Sequence, residues 1–365
     1  MTIVFCLPGY ARHPTGGFKI IYEYANRLAS HHRVTVVHPD LLLTGSPPRE
    51  WPVRIAGWAL RQVRLTYRPG AWFAFDPRVE VRTVPGLHPR FVPDAEVVVA
   101  TAWTTAEWVR RYPRSKGRKL YWVQDYEHVM TAPPALRERM LRTYRGRFEL
   151  VVISPALRDF LDQQGIRSRW IPNAIDAEVF HPEIAITSSE RNLIGFPYRS
   201  EPYKGTTDVL RALAELVGPL QLAGKVWCFG SKPRPKLLPS WARYHQRPSN
   251  DALRQLYNQT RIFVVGSHYE GWGLPGMEAM ACGATLVCTD NGGSLAYAQH
   301  GTNALLCPPK RPDLLARSVR QLMEDDALRV ALAQSGVAVT RQYTWEHSLA
   351  AAESLFSSPE ESPED

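Results

Sequence analysis

Two glutamates bracket a glycine-rich turn in the second half of the chain. Glu270 and Glu278 are separated by seven residues in the run Glu-Gly-Trp-Gly-Leu-Pro-Gly-Met-Glu. A carboxylate accepts hydrogen bonds from two neighbouring hydroxyls, as a ribose or hexose diol presents them, and glycines let backbone amides approach an anion closely. The pair therefore indicates a site that binds both a sugar and a phosphate. Glu278 also has a structural explanation, because an acid in the first turn of a helix that starts near Pro275 interacts favourably with the helix dipole.

Cations and further glycines occur on two other loops. Arg199 and Lys204 follow an apolar strand-like run and precede a predicted helix from Thr207. Two cations at a helix N-terminus are suited to clamp a diphosphate and to neutralise a leaving nucleotide without a metal, although two solvated surface cations are the alternative. Gly16 and Gly17 end the loop after the first predicted strand, before a helix expected near Phe18. They indicate either an anion-binding turn or ordinary turn geometry.

The elements that must position these residues alternate between strand-like and helix-like runs. Strands buried on both faces and separated by helices predict a parallel, doubly wound sheet, and ligands of such sheets bind at the carboxyl ends of the strands. The pattern occurs twice, which predicts two Rossmann-like domains facing a cleft. The predicted strands are 3–7, 34–38, 95–100, 120–124 and 150–154, then 193–196, 225–230, 261–265 and 285–289. The predicted helices are 19–29, 207–217, 251–258, 276–282 and 312–324.

The domain boundary is predicted where periodicity fades. Residues 172–190 read as a linker between an N-terminal, acceptor-side domain over 1–171 and a C-terminal, nucleotide-sugar-binding domain over 191–342. A helix over 343–356 is expected to pack back towards the N-terminal domain. The acidic, Ser/Pro-rich residues 357–365 are expected to be a disordered tail.

Composition narrows the class of protein. The 365 residues are 44% hydrophobic and 22% charged, and no run of 18 apolar residues indicates a membrane-spanning helix. The N-terminus reads as a core strand and not as a secretory signal, so a cytoplasmic location is expected. The five cysteines lack metal-ligand spacing and are expected to be buried free thiols. The chain also offers no Asp-x-Asp pair in a suitable loop, so neither a metal nor a separate cofactor is predicted.

Positive charge is concentrated in the first half. Residues 1–170 hold 26 Lys and Arg against 14 Asp and Glu, a net charge of +12. In residues 49–73, Arg54, Arg61, Arg64 and Arg68 share one helical sector beside an apolar face that bears Trp51 and Trp58. This pattern favours peripheral contact with an anionic membrane and a lipid-linked acceptor. A helix docked on its own domain is the alternative.

Taken together and in order, these motifs resemble those of the GT-B-fold retaining glycosyltransferases of family 4, over nearly the whole chain. The resemblance is carried by Gly16-Gly17, Pro172-Asn173-Ala174-Ile175-Asp176, Arg199 with Lys204-Gly205, the run Glu270 to Glu278 followed by Ala279-Met280-Ala281, and Asn291-Gly292-Gly293. The resemblance implies transfer of a sugar from a nucleoside diphosphate sugar to a hydroxyl, with retention of the anomeric configuration and no required metal.

The resemblance also implies roles for individual residues. Arg199 and Lys204 would hold the donor diphosphate, Glu278 the nucleotide ribose, and Glu270 the donor sugar near the reacting carbon. Amides around Gly273, Leu274 and Pro275, with the Gly16-Gly17 loop, would complete the donor pocket. Whether the acceptor attacks from the same face as the leaving phosphate or through a covalent intermediate on Glu270 stays open at this stage.

One stretch departs from the common family pattern. Many relatives carry a histidine after a late strand of the first domain, where this chain has Gln124 and Asp125, followed by His128. The Gln-Asp-Tyr-Glu string resembles the branch associated with rhamnose-containing polysaccharides, which suggests a deoxyhexose donor and contact of these three residues with sugar or acceptor. The alternative is that Asp125 and His128 cap a helix or line a polar surface.

Other classes of function fit the residues less well. A nucleic-acid-binding protein would explain the charge but not the acid pair or the Arg-Lys clamp, so nucleic acid is not predicted as a partner. A non-catalytic nucleotide-sugar or glycan-binding protein, or another GT-B enzyme such as a sugar-nucleotide epimerase, remains as an alternative. The predicted partners are therefore a nucleotide-sugar donor and a glycan or lipid-linked acceptor.

Overall fold

Parallel strands build two separate sheets, each flanked by helices. The structure, a computed structural model, describes residues 1–9, 11, 13–42, 48–64 and 72–358. In the described part of the N-terminal domain, seven parallel strands lie in the order β3-β2-β1-β4-β5-β6-β7. They are β1 (Thr2–Cys6), β2 (Arg33–Pro39), β3 (Glu80–Val84), β4 (Val97–Ala100), β5 (Arg118–Val123), β6 (Glu149–Val152) and β7 (Arg169–Trp170). The predicted doubly wound order, which reverses at β1, is thereby confirmed.

Helices of this domain connect the strands and cover the sheet. Helix α1 presents Ile20, Ile21, Tyr24 and Leu28 to the core, at the spacing expected for one buried helical face. The helices are α1 (Gly16–Leu28), α2 (Trp51–Arg64), α3 (Trp103–Val109), α4 (Glu127–Thr131), α5 (Pro134–Tyr144) and α6 (Pro155–Asp162).

The C-terminal domain repeats this architecture with a sheet of six described strands in the order β10-β9-β8-β11-β12-β13. All neighbouring strands run parallel. The strands are β8 (Leu193–Pro197), β9 (Val226–Gly230), β10 (Ala242–Gln246), β11 (Thr260–Val265), β12 (Thr285–Thr289) and β13 (Ala304–Cys307). The helices are α7 (Thr206–Val217), α8 (Asn250–Gln259), α9 (Leu274–Ala281), α10 (Pro312–Glu324), α11 (Asp326–Thr340) and α12 (Trp345–Ser357).

Two predicted helix starts are wrong by a small but relevant amount. Helix α1 begins at Gly16 and not near Phe18, so Gly16 and Gly17 form its first turn. Helix α9 begins at Leu274, which places Glu278 in the second turn, and its first turn contains no acid. The dipole explanation for Glu278 therefore fails, because that interaction falls off within the first turn.

The chain crosses back to the N-terminal domain at its C-terminal helix. In α12, the Ser348 hydroxyl donates to the Pro172 carbonyl at 2.8 Å, and Trp345 packs edge-on against Tyr24 of α1 at 5.1 Å. Arg118 of β5 donates to carbonyls at the end of α12, including that of Leu355. Helix α12 therefore ties the end of the chain to the sheet of the first domain. Residues 359–365, in the predicted tail, lie outside the described residues.

Helix α2 exposes apolar side chains. Val53 is 75% exposed, Leu60 49%, and Trp51 and Ile55 41% each. The side chains of Arg54, Trp58, Arg61 and Arg64, and Arg68 as a whole, lie outside the described residues. None of the described helices combines the length and the apolar character that crossing a bilayer requires.

The five cysteines are buried free thiols, as predicted: Cys6, Cys228, Cys282, Cys288 and Cys307.

Candidate active site

Glu270 lies on a turn that follows β11, the strand at the middle of the second sheet. Residues 266–270 are called the Glu270 turn. Its carboxylate accepts a hydrogen bond from the Ser267 hydroxyl through Oε1 at 2.7 Å and from Lys204 Nζ through Oε2 at 2.9 Å. The backbone N–H of Glu270 donates to the Asn291 carbonyl at 2.9 Å, so the turn is held from the β12 side as well. Both carboxylate oxygens are therefore oriented before any ligand binds.

Lys204 reaches Glu270 from a second turn, residues 199–205, called the Lys204 turn. This turn follows β8, which pairs in parallel with β11, so the two turns emerge from the same sheet edge. Gly205 closes it in the left-handed conformation with φ +61°, and a Cβ there would lie 1.7 Å from the Gly266 carbonyl oxygen. Only glycine permits this approach. The Lys204 ammonium and the Glu270 carboxylate are each about 17% exposed.

Arg199, at the start of the Lys204 turn, is oriented differently. Its Nη1 donates to the carbonyl of Tyr198 at 3.0 Å, and its guanidinium lies 5.3 Å from the centre of the Phe229 ring. The Thr206 hydroxyl donates to the Arg199 carbonyl at 2.7 Å. Arg199 is thus braced by the end of β9, whereas Lys204 is braced by Glu270.

Glu278 forms a separate cluster on α9. It is only 8% exposed. The hydroxyl of Tyr257, on α8, donates to its Oε2 at 3.1 Å, and Lys19 Nζ lies 3.8 Å from its Oε1. Burial and the neighbouring Glu278 charge hold the pKa of Tyr257 well above its usual value, so the phenol stays a donor.

Lys19 belongs to α1, so this ion pair bridges the two domains. Beside it lies a cavity of about 40 Å³, lined by Lys19, Phe180, Leu274, Met277 and Glu278 among others. Lys19 therefore lies beside the Glu278 oxygen that Tyr257 does not contact.

The two predicted glycine loops face each other across the cleft. A Cβ on Gly16 would lie 3.4 Å from a methyl carbon of Leu274, and a Cβ on Gly17 would lie 3.4 Å from the Gln124 side-chain oxygen. Gly273 precedes α9 with φ +90°, and its carbonyl accepts from the Tyr297 hydroxyl at 2.6 Å. Pro275 occupies the second position of α9 and not the predicted first.

The segment after β5, which departs from the common family pattern, lies partly at this contact. Gln124 is half-buried between Gly17 and Gly271, and a Cβ on Gly271 would lie 2.0 Å from the Gln124 carbonyl oxygen. Asp125 is exposed, and His128 falls within α4 with its side chain outside the described residues. The structure therefore brings Gln124 to the domain interface and leaves the predicted sugar-contact role of all three residues a prediction.

Several residues of these clusters were not predicted. Ser267, Asp208, His268, Tyr257 and Lys19 all contact a predicted site residue or its turn. Ser267 lies three residues before Glu270, and that nearness was an available signal. Tyr257 and Lys19 reach Glu278 from other elements, a contact that only the three-dimensional fold reveals.

The arrangement places turns that carry cations and carboxylates between two facing Rossmann-like sheets. This architecture is the GT-B fold, and the predicted fold class is confirmed. A crystal structure of HepE from Anabaena in complex with UDP-glucose has the same fold, with a TM-score of 0.72, 17% identity, and coverage of 98% of this chain and 100% of that one. Sucrose-phosphate synthase from Thermosynechococcus elongatus aligns with a TM-score of 0.71 and 16% identity over 97% of this chain and 98% of that one.

Sequence comparisons point the same way. Residues 180–338 match the family described as Glycosyl transferases group 1. The O-antigen biosynthesis protein RfbC of Myxococcus xanthus is 27% identical over 94% of this chain, which spans 26% of that protein. The O-antigen chain mannosyltransferase B of Escherichia coli is 36% identical over 29% of this chain and 28% of its own length. The chain thus spans about a quarter of the length of these two relatives. The match to this family model thus covers less than half of the chain, mostly in the C-terminal domain.

Proposed function

We propose that this protein is a retaining glycosyltransferase of family 4, which moves a hexose or deoxyhexose from a nucleoside diphosphate sugar to a hydroxyl acceptor. The observation that carries the proposal is the Lys204–Glu270 contact of 2.9 Å at the strand ends of a GT-B fold. It brings a cation, which is suited to bind phosphate, beside a carboxylate at one point of the cleft. Solved HepE binds UDP-glucose in the same fold, which supports a nucleotide-sugar donor.

In this proposal, the phosphate-binding groups are the two cations of the Lys204 turn. Lys204 carries three N–H donors, one of which Glu270 already accepts. A compact ammonium of this kind is suited to a diphosphate oxygen, and Arg199 adds a second cation on the same turn. Charge that develops on the departing diphosphate is then stabilised by cations that are already in place, which lowers the barrier without a metal.

Glu270 is proposed to contact the donor sugar near the reacting carbon. Lys204 and Ser267 orient both carboxylate oxygens, so the group meets the sugar with little reorganisation. In the same-face route, the acceptor hydroxyl attacks while the leaving phosphate oxygen takes its proton, and Glu270 stabilises the developing positive charge. In the double-displacement route, Glu270 would instead bond to the reacting carbon as the bond to the diphosphate breaks. The acceptor hydroxyl would then attack that carbon, release the Glu270 carboxylate and lose its proton to the departed diphosphate.

Glu278 is proposed to hold the nucleotide ribose. Tyr257 donates to one of its oxygens, which leaves the other oxygen to the ribose hydroxyls after Lys19 moves away. Backbone groups around Gly273 and Leu274, with Gly16 and Gly17 opposite, enclose the donor between the domains.

The proposed biological setting is synthesis of a cell-surface polysaccharide or glycolipid. Two relatives are named for O-antigen synthesis, which supports a glycan or lipid-linked acceptor. The exposed apolar side chains of α2 and the charge of +12 over residues 1–170 support peripheral contact with an anionic membrane, in a cytoplasmic enzyme. A rhamnose donor is proposed on the Gln124-Asp125 string alone.

The test is turnover of a panel of nucleotide sugars, including a deoxyhexose donor, with and without a chelator. The expected result is transfer to a glycan or lipid-linked acceptor that survives chelation and keeps the anomeric configuration, read by NMR of the product. Glu270→Gln and Lys204→Met should each reduce kcat by at least about 100-fold. Glu190→Gln and Lys236→Met remove exposed groups of the same types and serve as matched controls.

Three results would contradict the proposal. Unchanged turnover in both site variants would exclude the assigned site. Acceptor-independent conversion of the donor into a second nucleotide sugar would indicate an epimerase. Donor binding without turnover of any panel member would indicate a binding protein.

A further inference from the structure

His268 belongs to the Glu270 turn and contacts the segment of chain that carries Lys204. Its backbone N–H donates to the Tyr203 carbonyl at 2.7 Å. Its ring Nε2 lies 2.8 Å from Oδ2 of Asp208, in the first turn of α7. These two partners stand one residue before and four residues after Lys204. His268 therefore forms hydrogen bonds to the chain on both sides of Lys204.

The chemistry of His268 and Asp208 determines which of them donates their hydrogen bond. An ionised carboxylate only accepts, so the hydrogen is on Nε2 of His268. The His268 and Asp208 side chains are 15% and 14% exposed, which shields the bond from water. A hydrogen bond to a charged acceptor is shorter and stronger than a neutral one.

We propose that His268, held by Asp208, is a positioning residue that fixes the Glu270 turn against Lys204. The inference rests on the proposed function, in which Lys204 and Glu270 contact the donor. Glu270 follows His268 by two residues, so a shift of the His268 backbone moves the carboxylate relative to Lys204 Nζ. A displacement of about 1 Å at such a site is enough to reduce a rate by on the order of 100-fold.

The backbone around His268 and Asp208 is also held by contacts that do not use their side chains, so the role of the side chains can be tested by substitution. The close approach of Gly205 to Gly266 and the N–H bond to Tyr203 do not involve the His268 ring. Removing the ring is therefore expected to loosen the two turns without unfolding the domain.

The kinetic test compares His268→Leu with His268→Gln. Leucine removes the donor, and glutamine keeps an N–H near the position of Nε2. For His268→Leu we expect kcat to fall roughly 10- to 100-fold with a smaller change in the donor KM, and for His268→Gln we expect recovery of most of that loss. Equal losses in kcat for the two variants, or a change confined to KM, would overturn the positioning role.

Variants of Asp208 provide a second route should His268→Leu fail to fold. Asp208→Asn keeps an acceptor but removes its charge, so a loss between that of wild type and that of Asp208→Ala is expected. Asp251→Ala is the matched control, because Asp251 is also a first-turn acid, on α8, and its side chain is 75% exposed. A loss of kcat in the control as large as in Asp208→Ala would assign the effect to the helix N-terminus instead.

Amide hydrogen exchange separates this inference from the proposed function. In His268→Leu, exchange should become faster in peptides covering residues 199–208 and 266–273 and stay unchanged over the N-terminal sheet. Unchanged exchange in both peptides would overturn the positioning role even in an active enzyme. Absence of transfer by wild type with every donor would overturn the proposed function, while the exchange result still decides whether His268 fixes the two turns.

Discussion

Gly271, the residue after Glu270, lies in close contact with the backbone of the N-terminal domain. A Cβ at this position would lie 2.0 Å from the Gln124 carbonyl oxygen and 3.2 Å from the Asp125 Cα. Real Cβ contacts essentially never fall below 3.0 Å, so Gly271→Ala must separate the two backbones by at least about 1 Å. Because the obstacle is main chain, it cannot rotate away as a flexible side chain would.

The magnitude follows from the cost of overpacking, roughly 1–3 kcal/mol and higher where the backbone must move. At about 1.4 kcal/mol per factor of ten, the closed arrangement of the two domains becomes roughly 5- to 150-fold less populated. Separation also loosens the contact between Gly16 and Leu274 across the cleft. We expect kcat/KM for the donor to fall by about 10- to 100-fold, with a lower midpoint of thermal unfolding.

The assay is donor turnover, together with thermal unfolding monitored by circular dichroism. Gly218→Ala is the matched control, since Gly218 has φ −69° and no atom lies within 4 Å of a Cβ there. It should leave kcat/KM unchanged and raise stability by about 0.4–1 kcal/mol. A Gly271→Ala enzyme with wild-type kcat/KM would refute the reasoning, because the domains would then work without this contact.

Three further perturbations test other parts of the structure. Burial lowers the pKa of His38 to about 4. Between about pH 6.5 and pH 4 only the unfolded chain therefore binds this proton, and the free energy of unfolding falls by roughly 3 kcal/mol as the pH is lowered through that range. In His38→Gln this loss should shrink in urea unfolding curves, and an unchanged pH slope would contradict it. Arg191→Met leaves several buried carbonyl acceptors of Arg191 without a donor, so it should lower the free energy of unfolding by about 3 kcal/mol. The exposed control Arg320→Met should not. Equal urea midpoints for the two variants would refute this expectation. Lys19→Met removes the competitor for Glu278 and should tighten nucleotide binding by up to about fivefold in titration calorimetry, whereas weaker binding would mean that Lys19 contacts the ligand.

The central strands were predictable from the sequence, and the sheet edges were not. Strands such as β4 and β12 are buried along their whole length and give continuous apolar runs. The edge strands β3 and β10 have mixed burial and no such signature. Strand β7 contains only two residues, too few for a periodic signal.

For the site, the sequence indicated candidate residues but not which of them contact one another. Lys204 and Glu270 stand 66 positions apart, and only the pairing of β8 with β11 brings their turns together. Glu278 was placed one residue too early, in the first turn of its helix, because Pro275 was taken as the first helical residue, whereas it is the second. Lys19 reaches Glu278 only through the arrangement of the two domains, which local sequence patterns do not encode.

Lys204 links the two ends of the proposed donor site. Its ammonium is compact and carries rotatable N–H donors, so it can keep Glu270 at 2.9 Å while it donates to a phosphate oxygen on another side. Arg199 is stacked on Phe229 and bonded to the Tyr198 carbonyl, and its position therefore depends on β9 and not on Glu270. In the proposed function, Lys204 is therefore the one of these two cations that would contact both the diphosphate and the sugar-side carboxylate.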